Sequence, residues 1–480
     1  MIWRRGKKEF QDFLRRLEKL EAENARLREE NTALRRENEL LRRENEKLRK
    51  ELEKTRRSVK RQAAPFSKGP PKEKPERPGR KAGHLYGRKA WRAVPDHVDK
   101  TEDVRLPCRC PDCGGQIEEL EIQEQYQEDI PPIRPVVTRF LIHIGRCTCC
   151  GKRIQPRHPR QTSDALGAAK THLGPNAIAI ACELNKRFGL SMHKTAGVMT
   201  EMFGLRVTAG GLSQGMSRVA RKLEPTYYAL INAVRRSEVV YADETGWKVA
   251  GYLQWLWVFV TPQVTVYAIM DGRGYDEACS ILGENYDGIL GRDGWRVYSR
   301  FVQAVHQTCT QHLLTRCRRM LQSARGRAAA FPRKVRAVLL QGLGLRDRNE
   351  AGHLSPHGFT VLRGKLEAEL DRILQCRLSD ESNRRLGKHL LRERSNIFTY
   401  LYDPRVEACN WPAEQATRPA VVLRKVWGGN RTRQGAHAQQ ILSTIIVTAR
   451  KQNKIPRDII ASILYPREVT LAFSLTPNAP

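Results

Sequence analysis

The stretch SEVVYADETGWKV, residues 237–249, runs apolar and β-branched through Val239, Val240 and Tyr241 and then meets two adjacent carboxylates, Asp243 and Glu244. Such a run reads as a buried strand, and the acids read as the place where it stops. A lone Asp at a strand end is ordinarily a turn or capping residue, so its surroundings must decide whether it does more. Three further short strands follow: YLQWLWVFVTP at 252–262, VTVYAIMD at 264–271 and GILGRD at 288–293. The first three are close enough for an antiparallel meander, and a helical piece, YDEACSILG, separates the fourth from them. Asp293 closes GILGRD as Asp243 closes the first strand. If those two strands are neighbours, both carboxylates leave one sheet edge.

The remainder of the chain is built differently. Leu20, Leu27, Leu34, Leu41 and Leu48 follow Phe13 at seven-residue intervals, and Leu17, Asn24, Asn31, Asn38, Asn45 and Leu52 hold the other seam position. That pattern predicts a coiled coil over 1–57, with the core asparagines favouring a parallel, in-register homodimer or higher oligomer. A basic leucine-zipper factor would carry its basic region before the zipper; here the basic block follows it. Residues 54–92 hold fourteen Lys and Arg against two Glu, broken by Pro and Gly. A flexible linker over 58–100 that touches phosphates without sequence preference is expected. Residues 165–235 read as helical, with the turn at FGLRVTAGG suiting either a helix-turn-helix or a plain helical hairpin. Beyond 320 the chain is basic and helical to about 400, and a last helical section spans 410–465. Overall this is a multidomain chain of α+β or α/β class.

The formal net charge of +33 implies a polyanionic partner, double-stranded DNA before any other. No apolar run reaches the length of a membrane span, and the charged start lacks the apolar core of a signal peptide, so a cytoplasmic protein with no membrane partner is expected. Twelve cysteines in that compartment point to metal. CPDC and CTCC supply two C-x2-C pairs, each beside a glycine, so Cys110, Cys113, Cys147 and Cys150 are expected to hold a structural Zn2+ within a zinc-ribbon domain at 101–160, leaving Cys108 and Cys149 spare. Cys309 and His312 furnish only half of such a site and read as packing on a helix. Carboxylates buried in a polycation need a reason other than phosphate binding, and hard divalent cations are one. Asp243, Asp293 and Glu414, the last in the first turn of a helix after Pro412, are therefore candidate ligands for Mg2+ or Mn2+.

The runs ADETGWKV, WLWVFVTP, RDGW, CTQHLL and NWPAEQATRPAVVLRKVWGGNRTRQGA resemble the IS66 family of DDE transposases, as does the order of zipper, GRKAGH segment, C-x2-C pairs and helical region before them. The resemblance implies a ribonuclease H-like catalytic domain at 236–465, a helical insertion at about 321–400, and a short tail at 466–480. It also implies a metal-dependent polynucleotidyl transferase that binds the terminal inverted repeats of an insertion sequence, cleaves the strands and transfers them, with element-encoded accessory proteins among its partners. Asp243, Asp293 and Glu414 fall on the metal ligands, and Glu244 on a supporting position. Asn410–Trp411, Gln415, and Thr310–Gln311 within CTQH depart from the family's usual residues. Arg418, Arg424 and Lys425 follow the Glu closely and are placed for the DNA backbone, while Trp427 reads as core. The alternative is a zinc and coiled-coil DNA-binding regulator, or a transposase that has lost cleavage.

The zipper carries its own test. Removing residues 1–60 is expected to convert the protein to a monomer in sedimentation velocity at low concentration; a truncated protein that stays dimeric would contradict the assignment.

Overall fold

The computed structural model describes residues 19–48 apart from 21, 24 and 27, then 92–167, 171–464 and residue 473. The expected linker up to residue 91, much of the heptad pattern, and the tail at 466–480 apart from residue 473 lie outside them. The chain divides into two compact units, 1–128 and 129–480, and the division falls inside the segment expected to form one zinc-binding domain. In the first unit residues 28–48 form helix α1, with Leu34, Leu41 and Leu48 exposed at seven-residue spacing.

In the second unit a two-residue hairpin, β1 (Gly145–Arg146) and β2 (Arg153–Ile154), is followed by three helices: α2 (Pro175–Lys186), α3 (Met192–Glu201) and α4 (Ala209–Arg235). Ser191 and Thr208 cap α3 and α4 through their hydroxyl oxygens, which accept from Lys194 N and Gly211 N. Then comes the sheet. β3 (Val239–Val249), β4 (Tyr252–Val260) and β5 (Thr265–Met270) form the expected antiparallel meander, α5 (Tyr275–Leu282) crosses over, and β6 (Ile289–Arg292) pairs parallel with β3. A fifth strand, β7 (Val305–Thr308), pairs parallel with β6, giving the order β5-β4-β3-β6-β7.

β3 does not stop at its acids. It continues for six residues beyond Asp243, because it is paired with β4 from Tyr241↔Val260 to its end at Val249↔Tyr252. Side chains alternate along it: Val240 and Ala242 enter one core, Val239, Tyr241, Trp247 and Val249 the other. The first core is formed with α2, α4, α11 (Arg433–Lys451) and α12 (Pro456–Leu464). The second receives α6 (Thr310–Ser323), α7 (Ala330–Glu350), α8 (Pro356–Leu374), α9 (Glu381–Arg392) and α10 (Trp411–Trp427).

The free edge of the sheet is closed by side chains. Thr265 N, Thr448 Oγ1 and Tyr267 N, Thr444 Oγ1 are paired at 3.1 and 2.9 Å, and Ile269 N donates to Gln440 Oε1 at 2.9 Å. Three alternate outward N–H groups of β5 are thus satisfied by one face of α11, which removes an exposed strand edge.

The helices between β7 and α10 are locked to the sheet by a buried ion pair. Arg292, at the end of β6, meets Glu393, just after α9, at 2.7 Å, with both side chains almost wholly buried. Thr308 Oγ1 and Arg392 Nε donate to the same carboxylate, each at 2.9 Å. Burial opposes the Glu393 charge, but Arg292 and these donors outweigh it and hold the carboxyl at about 2. A depressed acid stabilises the fold above its ordinary value of about 4.3 and loses that contribution as pH falls toward 2. Glu393→Ala leaves Arg292 buried and unpaired and should cost about 3–5 kcal/mol in denaturant unfolding. Glu393→Gln should flatten the acid limb of the stability curve between about pH 4 and 2; an unchanged limb would contradict this account.

Candidate metal and nucleic-acid site

Strand register sets the site's geometry. Tyr241 pairs with Gly291 between β3 and β6, so two residues further along each chain stand Asp243 and Asp293 at one level. Gly291 is required there because a Cβ would collide with the Tyr241 ring. Asp293 leaves the sheet in a tight turn, its Oδ1 accepting from Trp295 N at 2.8 Å.

α10 carries Glu414 and is tied along β3 from end to end. Asn410 Nδ2 donates to the carbonyl of Ala242 at 2.9 Å. The Thr417 hydroxyl lies 3.2 Å from Asp243 Oδ2 and 2.9 Å from the Ala413 carbonyl. Arg424 donates to Thr245 Oγ1 at 3.3 Å and to the Gly246 carbonyl. Beyond the helix, Gly428 and Gly429 adopt positive φ and turn the chain back. Asn430 N then donates to Lys248 O at 2.8 Å, and Trp247 Nε1 to Asn430 Oδ1 at 2.7 Å. A side chain at Gly429 would strike the Lys248 carbonyl. Glu414 lies between Asn410 and Thr417 at helical i+4 and i+3 spacing, so it shares the face that looks onto Asp243.

Alternation along β3 separates the two adjacent acids. Asp243 faces α10, whereas Glu244 faces the opposite core, beside its cross-strand partner Trp257. There Glu244 Oε1 accepts from Arg273 Nε at 2.8 Å and Oε2 from the buried Tyr298 hydroxyl at 2.7 Å. Arg273 itself stacks between Trp255 and Trp295, 4.8 and 4.1 Å from the ring centres. Glu244 is a fully engaged support. Asp243 is not: burial, followed by the nearby charges of Glu244 and Asp293, pushes its carboxyl up to about 7. Burial raises the Glu244 carboxyl too, but Tyr298 and Arg273 oppose that rise, whereas at Asp243 only the Glu244 amide and the Thr417 hydroxyl do; a divalent metal would supply the positive charge.

On the far side of Asp293 a third group of residues converges. Cys309 is the N-cap of α6, buried, with its sulfur accepting from Asn410 N at 3.2 Å. His312 Nδ1 is 3.5 Å from Glu414 Oε1. Ligand atoms of Cys309, His312 and Glu414 lie within 4.8 Å of one another. Cys409 joins them through a hydrogen bond with Cys309 and another from the Gln311 amide, which together lower its thiol to about 7, while the Cys309 thiol is pushed up chiefly by that same bond and by burial. His312 is raised to about 9, first by its bond to Cys309 and then by surrounding anions. The sequence alone signalled neither Cys409 nor the approach of this pair to Glu414, because the partners are about a hundred residues apart.

The two C-x2-C segments each form a tight turn in their own unit. Cys110 N donates to Gly115 O at 3.0 Å and Gly114 N to Cys110 O at 2.9 Å; Cys147 N donates to Lys152 O and Gly151 N to Cys147 O, both at 2.9 Å. Gly114 and Gly151 take positive φ. In each turn the amide of the second cysteine leads the hydrogen bonds that lower the first thiol, at Cys110 and at Cys147. Amides aimed at a sulfur favour a thiolate, the form that binds metal. Arg418 and Lys425 lie exposed on α10, whereas Arg424 is committed to β3. Trp427 packs edge-on against Trp247 at 6.2 Å.

A family model described as Transposase IS66 family matches residues 170–438, more than half of the chain. No curated protein matches it.

The raised Asp243 makes a signed prediction. Its folded value exceeds the ordinary aspartate value of about 3.9, so the metal-free fold loses stability as pH rises from there to about 7 and is level above. Asp243→Asn should therefore melt higher than the parent in chelator, by a margin that grows from pH 4 to pH 7. A margin independent of pH in thermal melts would contradict the assigned environment.

Proposed function

The chain belongs to the IS66 family of transposases, and from that premise we propose that it is a metal-dependent DNA transposase whose reacting centre is Asp243, Asp293 and Glu414. The observation that carries this reading is the register of β3 with β6, two residues short of Asp243 and Asp293, together with an α10 bound along β3. A five-stranded sheet in which β4 alone runs against β5, β3, β6 and β7, with helices inserted before the third acid, also suits a ribonuclease H-like core.

The donor set fits the cations the family implies. Two carboxylates on one sheet edge and a third on an adjoining helix are hard oxygen ligands suited to Mg2+ or Mn2+. Bound there, such cations would supply Lewis-acid chemistry to an in-line displacement at phosphorus. The chain's own residues do the rest. Asp243, Asp293 and Glu414 would hold the cations as carboxylates, and Thr417 holds the orientation of the Asp243 carboxylate. Glu244, fixed by Arg273 and Tyr298 on the opposite face of β3, holds the strand that presents Asp243. Arg418 and Lys425, on the exposed side of α10, take DNA phosphates beside the scissile bond. One site then serves hydrolysis at an element end and attack by the freed 3′ hydroxyl on target DNA, since the two steps differ only in nucleophile.

The remaining parts are assigned by the same reasoning. The C-x2-C turns, whose amides favour thiolates, are assigned to structural zinc, the pair α3 and α4 reads the terminal inverted repeats as a helix-turn-helix, and the α1 heptads pair two chains. The test is strand nicking of labelled element ends in Mg2+ or Mn2+. Asp243→Ala, Asp293→Ala and Glu414→Ala should each reduce nicking by about a hundredfold or more, equivalent to about 3 kcal/mol of lost transition-state stabilisation, while leaving DNA binding within about threefold. Tight binding to the ends with no nicking by the parent protein in either metal would favour the non-catalytic regulator instead.

A further inference from the structure

Cys309, Cys409 and His312 take no part in the reaction proposed above, yet Cys309 and His312 join Glu414 in a group of three described ligands close enough together for a metal ion. Cys309 and His312 occupy the N-cap and third position of α6, which brings both to its first turn. Glu414 occupies the first turn of α10. The two helix starts are joined by hydrogen bonds: Thr310 N donates to Ala408 O at 2.9 Å, and Asn410 N to Cys309 Sγ at 3.2 Å. Two polar atoms beside the cysteines, Thr310 Oγ1 and Asn410 Oδ1, are buried without a hydrogen-bond partner in residues at most 1% exposed.

We propose that Cys309, His312 and Glu414, with Cys409 completing the set, form a second metal site that takes a borderline-soft cation of the zinc class. The ligand atoms of the first three already lie within 4.8 Å of one another, and Cys409 is hydrogen-bonded to Cys309. Thiolate, imidazole and a single carboxylate form a tetrahedral set characteristic of Zn2+, whereas Mg2+ prefers oxygen ligands alone. The backbone amides of Asn410 and Gln311, aimed at the two sulfurs, supply the outer hydrogen bonds that orient thiolate ligands. The assignment stands on these residues whether or not the chain cleaves DNA. Its consequence for the proposed centre is that Glu414 becomes common to two cation sites, one oxygen turned to His312, so that zinc at the soft site fixes the helix start that carries the third acid.

The test is the zinc content of the full-length protein, loaded with Zn2+, desalted and analysed by mass spectrometry. His312→Ala, at a half-exposed side chain, should lose about one equivalent per chain relative to the parent, and Cys309→Ser with Cys409→Ser the same equivalent. Asp243→Asn should lose none. Cobalt substitution supplies a second readout that does not depend on stoichiometry: the parent minus His312→Ala difference spectrum should contain a thiolate-to-cobalt charge-transfer band. Equal zinc in the parent and His312→Ala, or a difference spectrum without that band, overturns the site. Failure of the cleavage reading would show separately, as absent nicking with the zinc difference intact.

Discussion

The alternation of side chains along β3 is the constraint on which the site depends. Asp243 and Glu244 are neighbours in sequence, but a paired strand sends them to opposite faces. One meets a helix that carries a further acid; the other is consumed by an arginine and a tyrosine. Had the strand ended at Asp243, both acids would have been free to turn to the same side. Pairing with β4 for six residues beyond Asp243 prevents this, and the Asn430 and Gly429 turn extends the hold to the strand's far end.

That arrangement accounts for a concentration of acid in a strongly basic chain. Asp243 is half-buried and stands close to other carboxylates, with only one hydroxyl and one amide to favour its charge. Buried carboxylates elsewhere in the fold meet cations: Arg273 serves Glu244, and Arg292 and Arg392 serve Glu393. Asp243 instead has the carboxylates of Glu244 and Asp293 as its charged neighbours. The ion pair of Arg292 with Glu393 has a second effect. It ties the helices inserted before α10 to the strand that delivers Asp293.

Much of this was legible in the sequence, and the losses have physical causes. The meander, the crossover helix and the adjacency of the GILGRD strand follow from β-branched runs of the right length and spacing. β7 was missed because VHQT is half polar; it is a strand by virtue of lying against β6, not by its composition. The end of β3 was misplaced for a related reason: charged and glycine residues at 243–246 resemble a turn until a partner strand is known. Asp243, Asp293 and Glu414 could be named from their positions in elements and from family resemblance. Arg292 with Glu393, Cys309 with Cys409 and Asn410 with Ala242 could not, since each pairs residues about a hundred or more apart without any local periodicity. Arg424 shows the limit of reasoning from charge alone: its position after Glu414 suggested phosphate, while its guanidinium is bound to β3.

The central claim is that Asp243 holds a divalent cation and Glu244, one residue away, does not. Manganese binding followed by electron paramagnetic resonance, on the parent, Asp243→Asn and Glu244→Gln, tests it most directly. The account predicts that Asp243→Asn abolishes tight Mn2+ binding, whereas Glu244→Gln retains the parent's stoichiometry with affinity reduced by less than about tenfold, or 1.4 kcal/mol. Equal loss in the two variants, or retention of tight binding by Asp243→Asn, would contradict it.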